Sequence, residues 1–417
     1  MTTRFDRRGA LLVALLLACG GGAGDGKAGK TDGKQGKAGA TGDAKSKVDA
    51  KRTSAPAGDD EGGGDDEGGG APAAAWSWKL PRGINVPPVV PEDNPMSADK
   101  VELGHKLFMD KRLSVDGTRS CYSCHQNELG NADGRAKALG PGGKSLPRNT
   151  PTIWNVGLSA ALYWDGRSAN LEAQGLAALK GGNMGLGDGL EAKAAEIGAL
   201  PEYKDAFAKA YGITGDAKVT ADHVAKALSA YERTLLCGDT KHDQAQLDAA
   251  ADRGWQLFIG KASCVTCHAG DNFSDGLFHV TGNGAGDATA EGADLGRGKI
   301  TSNAAENFAF RTPTLRNVAR TAPYFHDGSV ATLEEAVKIM SAGGLRDKGV
   351  TIDEKLVDRQ LTDAEQADIV AFLRSLDCPG TLEVIGDQKV EGIGDAAAEP
   401  AKADEKKDAK ADETKAG

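Results

Sequence analysis

The chain has 417 residues, 26% of them charged, and its formal net charge at pH 7 is −10. Nucleic-acid-binding proteins carry a basic face or stripe, which this sequence lacks, so we expect no nucleic-acid partner. The one long apolar run, Leu11 to Ala18, is too short to cross a bilayer.

Residues 1–18 have the pattern of an export signal. Three arginines within the first eight residues precede the apolar run, as in a secretory signal peptide. The segment Leu16-Leu17-Ala18-Cys19 resembles a bacterial lipoprotein cleavage box, in which Cys19 is lipidated. An ordinary secretory signal with an incidental cysteine is the alternative. We therefore expect an exported, periplasmic protein that is anchored to a bacterial membrane by a lipid on Cys19.

Both ends of the chain lack the residues of a hydrophobic core. Residues 20–75 contain no aromatic residue and only Val48 among Val, Ile and Leu, and residues 380–417 are rich in Ala, Lys, Asp and Glu. Such segments bury too little apolar surface to offset the entropy lost on ordering. We predict a disordered tether over 19–75 and a disordered charged tail over 380–417. The intervening stretch of about 300 residues is long enough for two domains.

Helices joined by long loops are the elements predicted between these tails. Ser97 precedes an apolar stripe that ends at Phe108, and residues 221–236 carry a second stripe at helical spacing. Capping-box pairs open two more helices, at Thr332 and Thr362. Leu103-Gly-His-Lys-Leu-Phe is echoed by Arg253-Gly-Trp-Gln-Leu-Phe, a weak internal repeat. No long alternating run predicts a strand, so the expected class is mainly α.

Two copies of one cysteine motif carry the chemistry of the sequence. They are Cys121-Tyr-Ser-Cys124-His125 and Cys264-Val-Thr-Cys267-His268. C-x-x-C-H is typical of covalent haem c attachment, because the two thiols bind the haem vinyl groups and the adjacent imidazole binds iron. Zinc ribbons place their two cysteine pairs roughly 15–20 residues apart, far closer than these motifs. A thioredoxin-like pair needs no histidine at the next position.

The two motifs divide the core into two haem domains. We predict an N-terminal haem c domain over 76–236 and a C-terminal haem c domain over 237–379. Cys237 and Cys378 each follow an apolar helical stretch at opposite ends of the second half. In an oxidising compartment a disulfide between them is expected, and two unpaired cysteines are the alternative.

Long blocks of the sequence closely resemble the bacterial di-haem cytochrome c peroxidases. The resemblance covers residues 100 to 376 and goes well beyond the haem motifs. Its blocks are Leu103-Gly-His-Lys-Leu-Phe-Met-Asp-Lys-Arg-Leu-Ser114, Arg148-Asn-Thr-Pro-Thr152, Tyr163-Trp-Asp-Gly-Arg167, Phe310-Arg-Thr-Pro-Thr-Leu-Arg-Asn-Val318 and Thr321-Ala-Pro-Tyr-Phe-His-Asp-Gly328.

The resemblance implies a division of labour between the haems. The C-terminal haem receives electrons and takes Met340 as its axial ligand, whereas related enzymes that oxidise protein tryptophans carry Tyr there. The N-terminal haem binds peroxide, and Trp164 lies between the two haems. Asn149, Thr321 and Pro323 match positions that hold a calcium ion in relatives, and their oxygen atoms suit that hard cation.

Two departures from the family pattern concern the peroxide-binding haem. Many members carry a blocking histidine after the first motif, but residues 126–152 contain none, so we expect an open, five-coordinate haem. His105 stays open as an alternative ligand. Relatives also follow Gln174 with a proton-transferring Glu, where this chain has Asn183. An amide cannot shuttle a proton, so we consider Glu172 and Glu191 as substitutes.

The function expected from these observations is reduction of hydrogen peroxide to water with electrons from a small c-type cytochrome. The catalytic group would comprise Trp164, Gln174 and Asn183. A di-haem oxidoreductase acting on a protein or organic substrate is one alternative. A non-catalytic electron-transfer or redox-sensing protein is another, motivated by the missing Glu. By analogy with relatives, a homodimer is expected.

Overall fold

The computed structural model describes residues 76–379; the predicted signal, Cys19, the tether and the charged tail lie outside them. The described part of the chain is mainly helical, as expected, with one two-stranded antiparallel sheet. Its helices are α1 (Ala98–Met109), α2 (Leu171–Lys180), α3 (Leu190–Ala199), α4 (Pro201–Tyr211), α5 (Ala221–Arg233), α6 (Ala249–Ile259), α7 (Arg297–Thr301), α8 (Leu333–Ser341) and α9 (Asp363–Arg374). The strands are β1 (Phe278–Val280) and β2 (Ala309–Arg311).

Side-chain caps start the helices where the sequence indicated them. Ser97 Oγ accepts a hydrogen bond from Lys100 N at 3.2 Å at the start of α1. At α9, Thr362 and Glu365 form the full reciprocal capping box. At α8 only half of the predicted box forms, because Thr332 accepts from the Glu335 amide without the return bond. One capped amide suffices to begin that helix.

The two halves have separate hydrophobic cores. In the first, α5 packs against α1 and α2, and the core extends onto α3 and α4. In the second, α6 and α9 form the main helix pair, with α8 beside α9. This arrangement corresponds to the two predicted cytochrome c-like domains. Their exact boundary between 236 and 237 stays a prediction.

The internal repeat has a packing explanation. A Cβ atom at Gly104 of α1 would overlap the Ala227 carbonyl oxygen of α5, and one at Gly254 of α6 would overlap the Asp368 carbonyl oxygen of α9. Both glycines therefore allow the backbones of two packed helices to come into direct contact, once in each half. They occupy the same place in the two echoing phrases, so the repeat marks the same helix crossing twice.

A longer structural repeat links the loops that follow the haem motifs. Three positions with positive φ recur in the two halves at the same spacing along the chain. These pairs are Asn155 and Asn317, Tyr163 and Phe325, and Gly166 and Gly328. Because few residues adopt this backbone conformation, its recurrence shows that the two loops follow one path. The helices that follow them, α2 and α8, then occupy equivalent places in the two halves.

The equivalent loops are joined by a reciprocal pair of backbone hydrogen bonds. Asn149 N donates to His326 O, and Arg311 N donates to Trp164 O, both at 2.8 Å. At the same repeat spacing, Asn149 corresponds to Arg311 and Trp164 corresponds to His326. The contact between the halves is therefore locally two-fold symmetric, as at the interface of a symmetric dimer.

A disulfide also ties the segment after α9 to the first hydrophobic core. The structure bonds Cys237 to Cys378, with Cα atoms 5.5 Å apart. Cys237 is fully buried in the first core, and Cys378 packs against that same core from the end of the second half. The bond therefore holds the segment after α9 against the first domain.

Between residues 76 and 379, no helix is long and apolar enough to cross a membrane.

Candidate haem sites

The first cysteine motif forms a tight turn that presents its histidine. Cys121–Ser123 is a short 3₁₀ helix, and His125 N donates to Cys121 O at 3.0 Å. The His125 ring donates from Nδ1 to the Asn131 carbonyl oxygen at 3.0 Å. This bond orients the imidazole and leaves Nε2 for a metal, the arrangement common to iron-binding histidines.

The second motif repeats this geometry. Cys264–Thr266 is a 3₁₀ helix, and His268 N donates to Cys264 O at 2.9 Å. His268 Nδ1 donates to Phe273 O at 2.9 Å. Phe273, like Asn131 in the first half, has a positive φ that turns its carbonyl toward the ring. The two motifs are thus one structural unit used twice.

The residues present fit covalently attached haem. The four motif cysteines form no disulfide, so their thiols are available for attachment. Burial lowers the pKa of both His125 and His268, which favours the neutral imidazole that binds iron. In the second half the motif opens on a cavity of about 270 Å³. Thr150 Oγ1 and Trp154 Nε1 belong to its lining residues and lack a hydrogen-bond partner among the described residues.

This cavity brings together most residues predicted for the second haem and the domain interface. Its wall includes the following predicted residues: Cys264, Cys267, His268, Met340, Trp164, Asn149, Thr321 and Pro323. Met340 reaches it from the last turn of α8. The structure therefore places the predicted axial ligand Met340 in the same cavity as His268, the predicted proximal ligand.

Trp164 is fixed at the contact between the halves. Its indole Nε1 donates to Asn149 O at 2.9 Å, and its carbonyl oxygen accepts the Arg311 amide. Thr321 Oγ1 donates to Val318 O at 3.1 Å, which leaves its lone pairs free. Asn149, Thr321 and Pro323 line one cavity, as the calcium prediction requires, but calcium itself stays a prediction.

The two remaining predicted catalytic residues lie outside this cavity wall. Gln174 is half-buried on α2, and its backbone oxygen accepts a hydrogen bond from Tyr163 Oη at 3.3 Å. Asn183 is exposed in the turn after α2, whereas the next residue, Met184, is buried in the first core. The structure does not bring Asn183 together with the other predicted site residues, and its catalytic role stays a prediction.

Neither carboxylate considered as a substitute acid is free. Glu172 receives both guanidinium nitrogens of Arg233, at 2.8 and 3.0 Å, and the Asn94 amide at 2.8 Å. Those bonds outweigh the effect of burial and lower the pKa of Glu172. Glu191 is exposed, and it accepts the Ala221 amide at 3.1 Å, at the start of α5.

Glu232, near the end of α5, is a carboxyl that the sequence analysis missed. Its side chain forms no hydrogen bond or ion pair with any residue of the described range. Burial raises its pKa to about 8, with Glu172 adding to the shift and Arg233 opposing it. Burial raises the pKa of the Cys121 thiol and the charge of Glu232 adds to that shift, which indicates that Glu232 lies in the neighbourhood of the first haem motif. The sequence did contain a signal for this carboxyl. Glu232 stands four positions after Leu228, on the same side of the helix as the apolar stripe.

A histidine beside the second motif was also unassigned. His279 donates from Nδ1 to Asp353 at 2.6 Å and from Nε2 to Asp275 at 3.0 Å. With Cys267 this group has the composition of a metal site. The Cys267 thiol, however, is the second attachment point of the haem motif, so we assign the cluster to the surroundings of that haem.

Similarity to known proteins agrees with this geometry. The family model for di-haem cytochrome c peroxidase matches residues 98–251, and the model for cytochrome c matches residues 251–377. The methylamine utilization protein MauG of Methylorubrum extorquens is 37% identical over 297 residues, covering 69% of this chain and 80% of that protein. The cytochrome c551 peroxidase of Pseudomonas aeruginosa is 35% identical over 290 residues, covering 68% of this chain and 80% of that protein.

A solved structure extends the similarity to three dimensions. A MauG-like protein associated with microbial copper homeostasis superposes with a TM-score of 0.67 at 36% identity, covering 73% of this chain and 96% of that one.

Proposed function

Because the chain belongs to the di-haem cytochrome c peroxidase family, we propose that it reduces hydrogen peroxide to water with electrons from a small c-type cytochrome. The overall reaction takes up two electrons and two protons and yields two water molecules. Membership makes the chain a haem-dependent oxidoreductase; the peroxide reaction and its donor are our proposal.

Each cysteine motif would hold one haem. Cys121, Cys124 and His125 would bind the first, and Cys264, Cys267 and His268 the second. Haem c, when bound, supplies one-electron chemistry at both sites and a coordination position whose sixth ligand decides its use. The residues that the chain offers at that position differ between the halves.

The observation that carries the proposal is the asymmetry between α2 and α8. The two helices follow equivalent loops, and their N-caps, Asn170 and Thr332, stand at the same repeat spacing. Met340 of α8 then corresponds to Ala178 of α2. A thioether can bind iron, whereas a methyl group cannot. We infer a closed second site for electron entry and an open first site for peroxide.

The histidine that could have closed the first site is engaged elsewhere. His105 of α1 packs against Tyr231 of α5, with ring centroids 5.0 Å apart. Burial lowers its pKa, consistent with a neutral imidazole in the helix interface. This packing favours a structural role for His105.

Proton delivery at the first site falls to Glu232 in this proposal. Below its pKa of about 8 the carboxyl holds a proton, and no described side chain competes for it. Its proximity to Cys121 supports a role beside the first haem. Glu232 would thus supply the acid that Asn183 cannot.

Trp164 is the aromatic residue proposed to carry electrons between the halves. It lines the second cavity while its loop belongs to the first half, and backbone bonds hold it in place. We further propose a calcium ion near Asn149, Thr321 and Pro323, and a periplasmic protein anchored through Cys19.

A second candidate function rests on the similarity to MauG and to the MauG-like structure. In this alternative, the oxidising capacity of the two haems would act on a protein or organic substrate. Met340 argues for the peroxidase, since the resemblance assigns Tyr to this position in enzymes that oxidise protein tryptophans.

The test is a stopped-flow reaction of the haem-loaded protein. With the second haem reduced, one equivalent of hydrogen peroxide should rapidly oxidise both haems, and added reduced c-type cytochrome should restore them in repeated cycles. Rapid oxidation without cytochrome turnover would favour the organic or protein substrate. A spectrum unchanged over minutes would contradict both, and would favour electron transfer or redox sensing.

A further inference from the structure

Arg311 places a guanidinium group in the wall of the second cavity. It ends β2, and its side chain donates from Nε to Tyr163 O and from Nη1 to Thr312 O, both at 3.3 Å. Both acceptors are neutral carbonyl groups, and both distances are long for such bonds. Nη2 has no acceptor among residues 76–379.

Three other arginines whose side chains are largely buried have carboxylate partners. Arg233 pairs with Glu172 at 2.8 Å, and Arg316 pairs with Asp243 at 2.7 Å. Arg148 bridges two carboxylates, those of Asp165 and Asp294. Arg311 is half-buried, and a molecule that fills the cavity would exclude water from its guanidinium; a desolvated cation without an anion is costly, because its lost hydration is not replaced. Arg311 forms no salt bridge with any described residue, so its site lacks an anion.

The cavity wall itself does not supply that anion. Asp353 is the acidic residue of the lining, and its carboxylate accepts the His279 ring nitrogen at 2.6 Å. Burial lowers the pKa of Arg311 to about 10, in keeping with a desolvated cation that no nearby carboxylate stabilises. We therefore expect the partner of Arg311 to come from a molecule that fills the cavity.

We infer that Arg311 binds a carboxylate of the haem held by the second motif. Haem carries two propionate groups, and a guanidinium fork matches a carboxylate through two parallel hydrogen bonds. The positive charge then also favours the reduced, less positive iron. Arg311 is thus a positioning residue that sets the affinity of the second haem for electrons. The inference rests on the proposed haem site but does not depend on peroxide reduction.

The test compares Arg311→Gln with Arg311→Lys in the haem-loaded full chain, by potentiometric titration without peroxide. Removing the charge should lower the equilibrium constant for reduction of the second haem roughly tenfold. For one electron this corresponds to a reduction potential lower by about 59 mV. A change of this size matches the Coulomb interaction of the iron with one charge about 10 Å away, at an effective dielectric constant of about 20. The Lys variant keeps the positive charge, so its reduction potential should stay close to that of the wild type. Arg374→Gln, which removes an exposed arginine of α9, should leave it unchanged.

A second readout reports the bond itself. Resonance Raman spectra should show a shifted propionate bending band in both Arg311 variants, because lysine lacks the planar fork, and no shift in Arg374→Gln. Haem content per chain is measured in parallel. A Gln variant with full haem content, unchanged potential and an unmoved band would overturn the inference. If Gln fails to load haem, an unmoved band in the Lys variant overturns it. Neither result bears on peroxide turnover, which is measured separately.

Discussion

Individual residues differ in how far the sequence alone reveals their chemistry. The motif cysteines and histidines were predictable because their spacing is a covalent requirement of haem attachment. Glu232 and Arg311 were not, because a charged residue is informative only when its neighbours are known. Glu232 lies in an otherwise apolar helix face without a partner, and Arg311 lies beside carbonyl groups alone. Each could equally have been a solvated surface residue in the sequence.

The proton role proposed for Glu232 gives a prediction with a defined pH dependence. Its raised pKa of about 8 means that the carboxyl is protonated below that pH and ionised above it. Peroxide reduction should therefore decline as the pH rises through about 8. Glu232→Gln should slow turnover roughly 10²–10⁴-fold, the usual effect of losing a positioned acid, and should remove this alkaline decline. The pH profile of kcat with reduced cytochrome is the measurement.

Glu191→Gln is the matched control, because Glu191 is an exposed carboxylate of the same half. It should leave both rate and profile unchanged. The charged and titratable groups in electrostatic contact with Glu232 are Arg233, Glu172, Cys121, Tyr163 and Tyr231. If Glu232→Gln retains the wild-type profile, one of these groups or a different residue supplies the proton.

Helices were predictable from caps and apolar spacing, whereas the equivalence of α2 and α8 was not predicted. The sequence predicts helix starts at Thr332 and Thr362, and both residues cap helices in the structure. Of the repeat, only the short phrase shared by α1 and α6 was predicted, because α2 and α8 themselves share little sequence. The loops before these helices do share sequence at the repeat spacing, since Thr150-Pro-Thr152 matches Thr312-Pro-Thr314 and Asp165-Gly166 matches Asp327-Gly328. The recurring backbone angles show that these matching segments also share a conformation.

The correspondence of Met340 and Ala178 predicts opposite results for two exchanges. Met340→Ala should lower the potential of the second haem, on the order of 100 mV, because axial ligands set haem potentials over a wide range. Ala178→Met should convert the first haem to a six-coordinate spectrum and suppress its reaction with peroxide. Optical and EPR spectra of the two variants measure both effects.

Ala177→Met is the control for the second exchange, since it adds the same side chain at an exposed position of the same helix. It should leave the first haem five-coordinate. An unchanged spectrum in Ala178→Met would mean that α2 and α8 do not present equivalent positions to their haems. An unchanged potential in Met340→Ala would refute that ligand.

At the scale of the whole molecule, the number of domains was predictable and their contact was not. Two haem motifs imply two cytochrome units because each needs its own core. The reciprocal hydrogen bonds of Asn149 and Arg311 join backbone groups, so the pattern of side chains does not predict them. The residues of the predicted calcium site could be listed only through family resemblance, because they come from distant loops.

The Cys237–Cys378 disulfide should stabilise the assembled molecule. It closes a loop with a sequence separation of 141, and such a link restricts the unfolded chain. Replacing both cysteines with serine should lower the free energy of unfolding by roughly 2–5 kcal/mol. Thermal unfolding of the haem-loaded protein measures this as a lower Tm, and treating the wild type with a reductant should give the same shift. Equal Tm values would show that the bond contributes nothing.

The two-fold contact between the halves has a consequence for the ancestry of the chain. Reciprocal bonds between equivalent residues are the signature of an isologous homodimer. The simplest origin is a single-haem cytochrome that paired with itself before its gene was duplicated and fused. After fusion, each copy could mutate alone. One could retain methionine while the other exchanged it for alanine, a divergence forbidden to a homodimer encoded by one gene.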